Sequence, residues 1–301
     1  MNAHRGPRGV VGWLNATFRY WSLAPAVLLF AVLTVYPVLN LFRMSVSTIQ
    51  FKGNTDFWSF TPRRNWDALF SDPSLSAAVS NTLIFVAVAV TVEMLLGLAL
   101  ALLVGRMTRG KGLMRTLMIV PILVPPVAIG SMFKLMYNHD FGVFNQLLGL
   151  IGLEPVSWLG STSLALWSVI AVDIWHWVPF VFLILFAAVE GLPGEVLDAG
   201  RVDGADRWQL LRYVTLPLLL PAITVALLFR SILAFKAFDE VYLLTGGGPG
   251  TSSELLSLHL YRVFFEQNQL GYGALLSVLT IVGVLMLLAM GRRLVAGTRN
   301  G

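Results

Sequence analysis

Six long apolar runs, separated by shorter polar stretches, dominate the hydropathy pattern of the chain. They fall at about residues 21–44, 80–104, 116–137, 163–188, 217–243 and 271–290. Each is near the roughly 20 apolar residues that a helix needs to cross a bilayer. The pattern predicts an all-α membrane protein with six transmembrane helices. One domain, 21–290, lies between a short N-terminal segment, 1–20, and a tail, 291–301. The first run is too long for a signal-peptide core and lacks a small-residue cleavage site, so it reads as a retained span. The third contains Pro121, Pro125 and Pro126. It is expected to cross as one span, because neighbouring helices can satisfy the carbonyls that proline frees.

Charge orients these spans. Of 21 Lys and Arg residues, 13 fall in the N-terminal segment, the turn at 106–115, the stretch at 190–216 and the tail. Only four (Lys52, Arg63, Arg64 and Arg262) fall in the alternate loops. Basic residues gather on the cytoplasmic side, so both termini are predicted there. The same asymmetry accounts for the net charge of +5 without a nucleic-acid partner. The chain has no cysteine, which excludes disulfides, thiolate metal sites and a cysteine nucleophile. Its histidines, at 4, 139, 176 and 259, lack metal-ligand spacing. No catalytic set and no metal site emerge. Gly246–Gly250 is glycine-rich, but no Lys follows as a phosphate-binding loop requires. A nucleotide that powers this chain must therefore bind elsewhere.

Ionisable groups inside spans are costly unless they face a bundle interior or an aqueous cavity. On the fourth span Asp173, His176, Trp177 and Phe180 share one helical face, with Trp175 beside them. Carboxylate, imidazole and indole together suit a sugar or polyol, since polar edges bind hydroxyls and aromatic faces stack on C–H surfaces. On the fifth, Lys236, Asp239 and Glu240 fall at i, i+3 and i+4, with Tyr242 nearby. Both clusters also admit a structural reading: Asp173 with His176, and Lys236 with a neighbouring carboxylate, could be internal pairs. Glu93 and Arg230 are expected to be ion partners within the bundle. Between these spans, residues 192–217 form a charged island that reads as helix, turn, helix. Pro193 and Glu195 suit a helix start, and Gly204 supplies the break.

The island resembles the EAA loop of the membrane subunits of ABC importers, whose pattern is Glu-Ala-Ala, three residues, Gly, nine residues, Ile, one residue, Leu-Pro. Here Asp198-Ala199-Gly200, Gly204, Val214, Leu216 and Pro217 keep every interval. Asp, Gly and Val replace Glu, the second Ala and Ile. A second stretch, Phe238 to Pro249 with its Thr-Gly-Gly-Gly-Pro end, resembles the first permease subunit of carbohydrate importers of the maltose and glycerol-3-phosphate type. The resemblance implies a type I importer permease fold in a bacterial inner or cytoplasmic membrane. It also implies a heterodimer with a second permease, an ABC ATPase dimer that binds ATP and Mg, and an extracytoplasmic binding protein that delivers sugar. Glu195, Asp198, Ala199, Gly200, Asp203, Gly204 and Ala205 would then contact the ATPase. Asp173, Trp175, His176, Trp177, Lys236, Asp239, Glu240 and Tyr242 would line the sugar path. The rival readings are a permease for a polyamine, phosphate ester or amino acid, and a stand-alone membrane enzyme or signalling subunit.

Overall fold

The apolar runs fold as helices in the expected order, with an unexpected hairpin and two interrupted spans. The computed structural model describes residues 18, 22–52 and 55–297. The predicted N-terminal segment, apart from residue 18, and the end of the tail at 298–301 lie outside the described residues. Helix α1 (Ala24–Ser45) leads into strands β1 (Ser47–Lys52) and β2 (Thr55–Phe60), which pair antiparallel with Ser47 opposite Phe60. The hairpin corrects the all-α expectation. Its Thr48, Ile49, Phe57 and Trp58 are β-branched and aromatic types that favour strands. Helices α2 (Pro62–Ser71) and α3 (Pro73–Gly105) follow, α3 being capped by Asp72, which accepts from the Ser74 and Leu75 amides.

The third apolar run is not one helix. It divides into α4 (Lys111–Leu123) and α5 (Pro126–Met136), whose axes are bent by 91°. Val124, preceding a proline, is extended (ψ 125°), and Pro125 is extended as well (ψ 141°). Consecutive prolines bar the helical conformation at the residue before each and remove two N–H donors. The neighbours therefore accommodate a break instead of repairing a continuous helix. Helices α6 (Val143–Leu150), α7 (Ala165–Glu190) and α8 (Gly194–Val202) come next. A helical turn at Arg207–Gln209 and a π-helical turn at Leu210–Thr215 run directly into α9 (Leu216–Phe235). Pro217 lacks the N–H that would bond back to Tyr213, a reason for the wider turn there. Beyond α9 are α10 (Asp239–Leu244), α11 (Leu256–Tyr261), a π turn at Arg262–Glu266 and α12 (Leu270–Gly297). Among the described residues five helices are long and apolar enough to span a membrane, or six if α4 and α5 count as one span.

Helices α3 and α7 form the spine. Phe85, Ala89 and Val90 of α3 pack with Val169 and Val172 of α7, Ile129 of α5, and Val241 of α10. Toward the other end Ala101 and Val104 meet Val181, Phe182 and Leu185. By contrast α1 exposes Leu28, Phe30 and Leu33. In water such a face would be a liability, but lipid tails solvate it, and helix association in a bilayer rests on close packing instead. Gly97 makes that packing possible: a methyl group there would lie 2.6 Å from Val181 Cγ1 and 3.0 Å from the Phe182 amide nitrogen. A rotamer change cannot relieve the contact with backbone. Gly97→Ala is expected to cost about 1–3 kcal/mol and to lower the unfolding midpoint in detergent. Gly283→Ala, with nothing within 4 Å of the added carbon, should leave that midpoint unchanged.

Candidate functional site

Inside the bundle the ionisable groups form two neighbouring hydrogen-bonded sets that together involve four helices. Arg230 of α9 is fully buried, as is Glu93 of α3. Its Nη2 donates to Glu93 Oε1 at 2.9 Å, and its Nε donates to Glu93 Oε2. Nη2 also donates to Asp173 Oδ2 on α7. The guanidinium carbon lies 5.2 Å from the centroid of the Trp177 ring, a cation–π contact. On the next turn of α7, His176 Nδ1 lies 3.0 Å from Glu240 Oε1 on α10. Each buried carboxylate thus has a cationic or imidazole partner, the condition that makes such groups tolerable in a membrane. Asp173 Oδ1 and Arg230 Nη1 find no hydrogen-bond partner among the described residues.

The network sorts the predicted sugar-path residues into two groups. Asp173, His176 and Glu240 are buried and engaged with other helices. Glu93 and Arg230 pair as expected, but the pair also takes in Asp173, which the helical spacing had linked to His176. Trp177 and Phe180 are half-buried and meet edge to face at 5.8 Å, with the His176 ring 4.8 Å from Trp177. Trp175 is 39% exposed and points an edge at Phe133 of α5.

The expected helical cluster of Lys236, Asp239 and Glu240 does not form. Helix α9 ends at Phe235, Phe238 leaves helical geometry (φ −135°, ψ −54°), and Asp239 opens α10. Lys236 and Asp239 are exposed while Glu240 turns inward, and no ion pair joins Lys236 to either carboxylate among the described residues. Tyr242 is 44% exposed and stacks on Phe238 at 5.3 Å.

The charged island folds as read. Helix α8 carries Glu195 in its first turn and Arg201 in its last, matching the helix dipole. An exposed pair joins Asp198 to Arg201. Asp203 ends the helix with its N–H on the Ala199 carbonyl. The Gly204 N–H then bonds to Arg201 O at 3.1 Å, and the Ala205 N–H to Gly200 O at 3.0 Å. This pair of bonds is the Schellman ending, which needs a left-handed residue; Gly204 supplies it at φ +82°. Asp206 and Gln209 then form a reciprocal capping box that starts the next helix. At Gly200 an added methyl would sit 3.2 Å from Leu210 Cδ2, so glycine lets α8 lie close to the following helix. A cavity of about 600 Å³ separates the island from the end of α3, between Arg106, Val189, Leu197 and Arg207. Val202 is 87% exposed and Trp208 65%.

Stacked apolar spans, a buried polar network and an amphipathic loop held outside the bundle define a polytopic membrane protein of the permease kind. Residues 93–300 match the family described as binding-protein-dependent transport system inner membrane component, and the chain belongs to that family. A probable ABC transporter permease protein, y4oQ, of Sinorhizobium fredii is 36% identical over 89% of this chain and 87% of its own length. The trehalose/maltose transport system permease protein MalF of Thermococcus litoralis is 32% identical over 90% of this chain and 91% of its own. The fold is shared with a chain of a bacterial alginate ABC transporter, solved in complex with an alginate pentasaccharide-bound periplasmic protein. That match has a TM-score of 0.80 at 21% identity and covers 94% of this chain and 95% of that one.

The network's energetics give a test. Removing one partner of a buried ion pair typically costs about 3–5 kcal/mol, because the remaining charge is stranded. Arg230→Met is expected to lower the unfolding midpoint sharply and to reduce the level of protein in the membrane. Adding Glu93→Gln should recover part of the loss. Thermal unfolding of the two variants in one detergent makes the comparison.

Proposed function

We propose that the chain is a permease subunit of an ATP-driven, binding-protein-dependent sugar importer, with six spans and both termini cytoplasmic. In this reading a second, related permease completes the pore as a heterodimer in a type I importer fold. Two ATPase subunits, which carry the ATP and Mg, dock on the cytoplasmic loops, and an extracytoplasmic binding protein delivers the sugar. The observation that carries the reading is the EAA-spaced island. Its sequence intervals match the motif, and it folds as a capped helix presenting Glu195, Asp198, Asp203 and Ala205 beside exposed Val202 and Trp208. Charged and large apolar side chains left outside a bundle are the composition of a docking face. The chain connects α8 to α7 through Gly191–Pro193 and to α9 through the π turn. A displacement of the island is therefore passed to the two helices that carry Asp173 and Arg230.

Sugar is favoured by the trehalose/maltose relative and by the aromatic character of the exposed face. Trp177 and Tyr242 can stack on pyranose C–H faces, while Asp239 and Lys236 accept from and donate to hydroxyls. Asp173, His176 and Glu240 would support this face from the bundle interior, where the His176 ring packs on Trp177, and Trp175 would extend it toward Phe133 of α5. The exposed Lys236 disfavours a cationic polyamine as cargo.

Gly204→Asp places a side chain at a left-handed position and a third carboxylate beside Asp203 and Asp206. Uptake of a radiolabelled disaccharide by cells expressing the complete transporter should fall about tenfold or more, the effect of losing roughly 1.4 kcal/mol of docking free energy. Protein level and membrane insertion should stay at wild type. Unchanged uptake would remove the island from the coupling role.

A further inference from the structure

The outer end of the bundle holds a second set of ionisable groups, unused by the transport reading and built around His259. Asp72, the cap of α3, accepts at Oδ2 from the Tyr272 hydroxyl at 2.8 Å, and the same oxygen lies 2.9 Å from His259 Nε2. The other ring nitrogen, Nδ1, lies 2.9 Å from Glu254 Oε1. Glu254 Oε2 accepts from Arg262 Nη1 at 2.7 Å, and Arg262 Nη2 donates to the Gly246 carbonyl. Asn81 of α3 closes the set, donating to the carbonyls of Thr251 at 2.9 Å and Glu254 at 3.1 Å. The cluster ties the α2–α3 junction, the Gly246–Glu254 loop, α11 and the start of α12. That loop contains the glycine-rich stretch singled out in the sequence.

With Asp72 and Glu254 both ionised, the geometry calls for a doubly protonated ring. Ionised carboxylates only accept, so a ring with a carboxylate at each nitrogen must donate from both, and only the imidazolium does. Burial pulls the His259 pKa down, but the Glu254 hydrogen bond and the charges of Asp72 and Glu254 outweigh it, leaving the group above its usual value. For Asp72 burial pushes upward, while bonds from Tyr272 and the Ser74 amide and the His259 charge hold its pKa below the ordinary range. The neighbouring charges are Arg262, which pairs with Glu254 at 2.7 Å, and Glu266, 4.0 Å from the same guanidinium. A cavity of about 460 Å³, lined by Thr251, Gln267 and Gln269 as well as by the cluster, gives water a route to it.

We propose that His259 is a positioning residue, whose imidazolium pins the Gly246–Glu254 loop to the starts of α3 and α12 and whose deprotonation releases that loop. Because the folded state holds the proton more tightly than the unfolded chain, the clamp is complete below the ordinary histidine pKa. It is lost as the external pH rises through the raised one.

The test uses the whole chain in lipid nanodiscs with histidine labelled in its ring nitrogens; four histidines give a readable spectrum. The His259 signals are assigned by their absence in His259→Gln. Followed through a pH titration, they should keep the imidazolium to a higher pH than an ordinary histidine does, and Asp72→Asn should lower the midpoint. Hydrogen exchange across residues 246–254, corrected for its intrinsic pH dependence, should lose protection through the same midpoint. In His259→Gln protection should be low at every pH. If that variant does not fold, Tyr272→Phe, which removes one donor to Asp72, serves for assignment by displacing the same signals. A His259 midpoint at or below that of an ordinary histidine, or loop protection that ignores its titration, would overturn the proposal.

Discussion

A guanidinium inside a membrane bundle must be neutralised by groups that the fold brings to it, and Arg230 sets that condition here. Glu93 and Asp173 meet it from α3 and α7, so three helices are held in register by one side chain. His176 extends the linkage to α10 through Glu240. Apolar packing alone would fix these helices weakly, because lipid competes for the same surfaces. The polar contacts have no equivalent in lipid, and a shift in register would strand a charge. The His176–Glu240 contact holds α10 beside α7, beyond the break at Lys236–Phe238.

The arrangement separates support from contact. Buried carboxylates and the imidazole hold the frame, while Trp177, Tyr242, Asp239 and Lys236 remain open or partly open to solvent. At the end of the bundle that carries the island the order is reversed. The island owes its shape to local rules, a left-handed glycine and a capping box, and leaves its large side chains outward. A loop that folds by its own caps can keep its shape while it moves against the cavity beneath it. At the opposite end of α3 His259 makes a third kind of junction, with ionic contacts between segments distant in sequence.

The contrast explains what could be read from the residues. The spans and the island were legible because hydropathy and capping act over a few turns: Pro193, Glu195 and Gly204 stand at the helix start and the break that their positions imply. The sharp break within the third run was not legible, because the two prolines at 125 and 126 act together, where a single proline would only have kinked the helix. The hairpin at 47–60 lay hidden in a loop whose short length gave alternation little room to show. In the site, helical periodicity placed Asp173 and His176 on one face but gave no account of their partners. Arg230 lies 57 residues from Asp173 and 137 from Glu93, and nothing local connects them. The Asp72–His259 contact, 187 residues apart, is of the same kind.

The central claim is that this chain is one part of a larger importer and does not work alone. The most direct measurement is purification of the tagged chain in a gentle detergent from cells that express its neighbours, with mass spectrometry of the co-purifying proteins. The account predicts a second six-span permease and an ATPase with nucleotide-binding motifs, in comparable amounts. Recovery of the chain by itself, with both partners present in the same membranes, would contradict it.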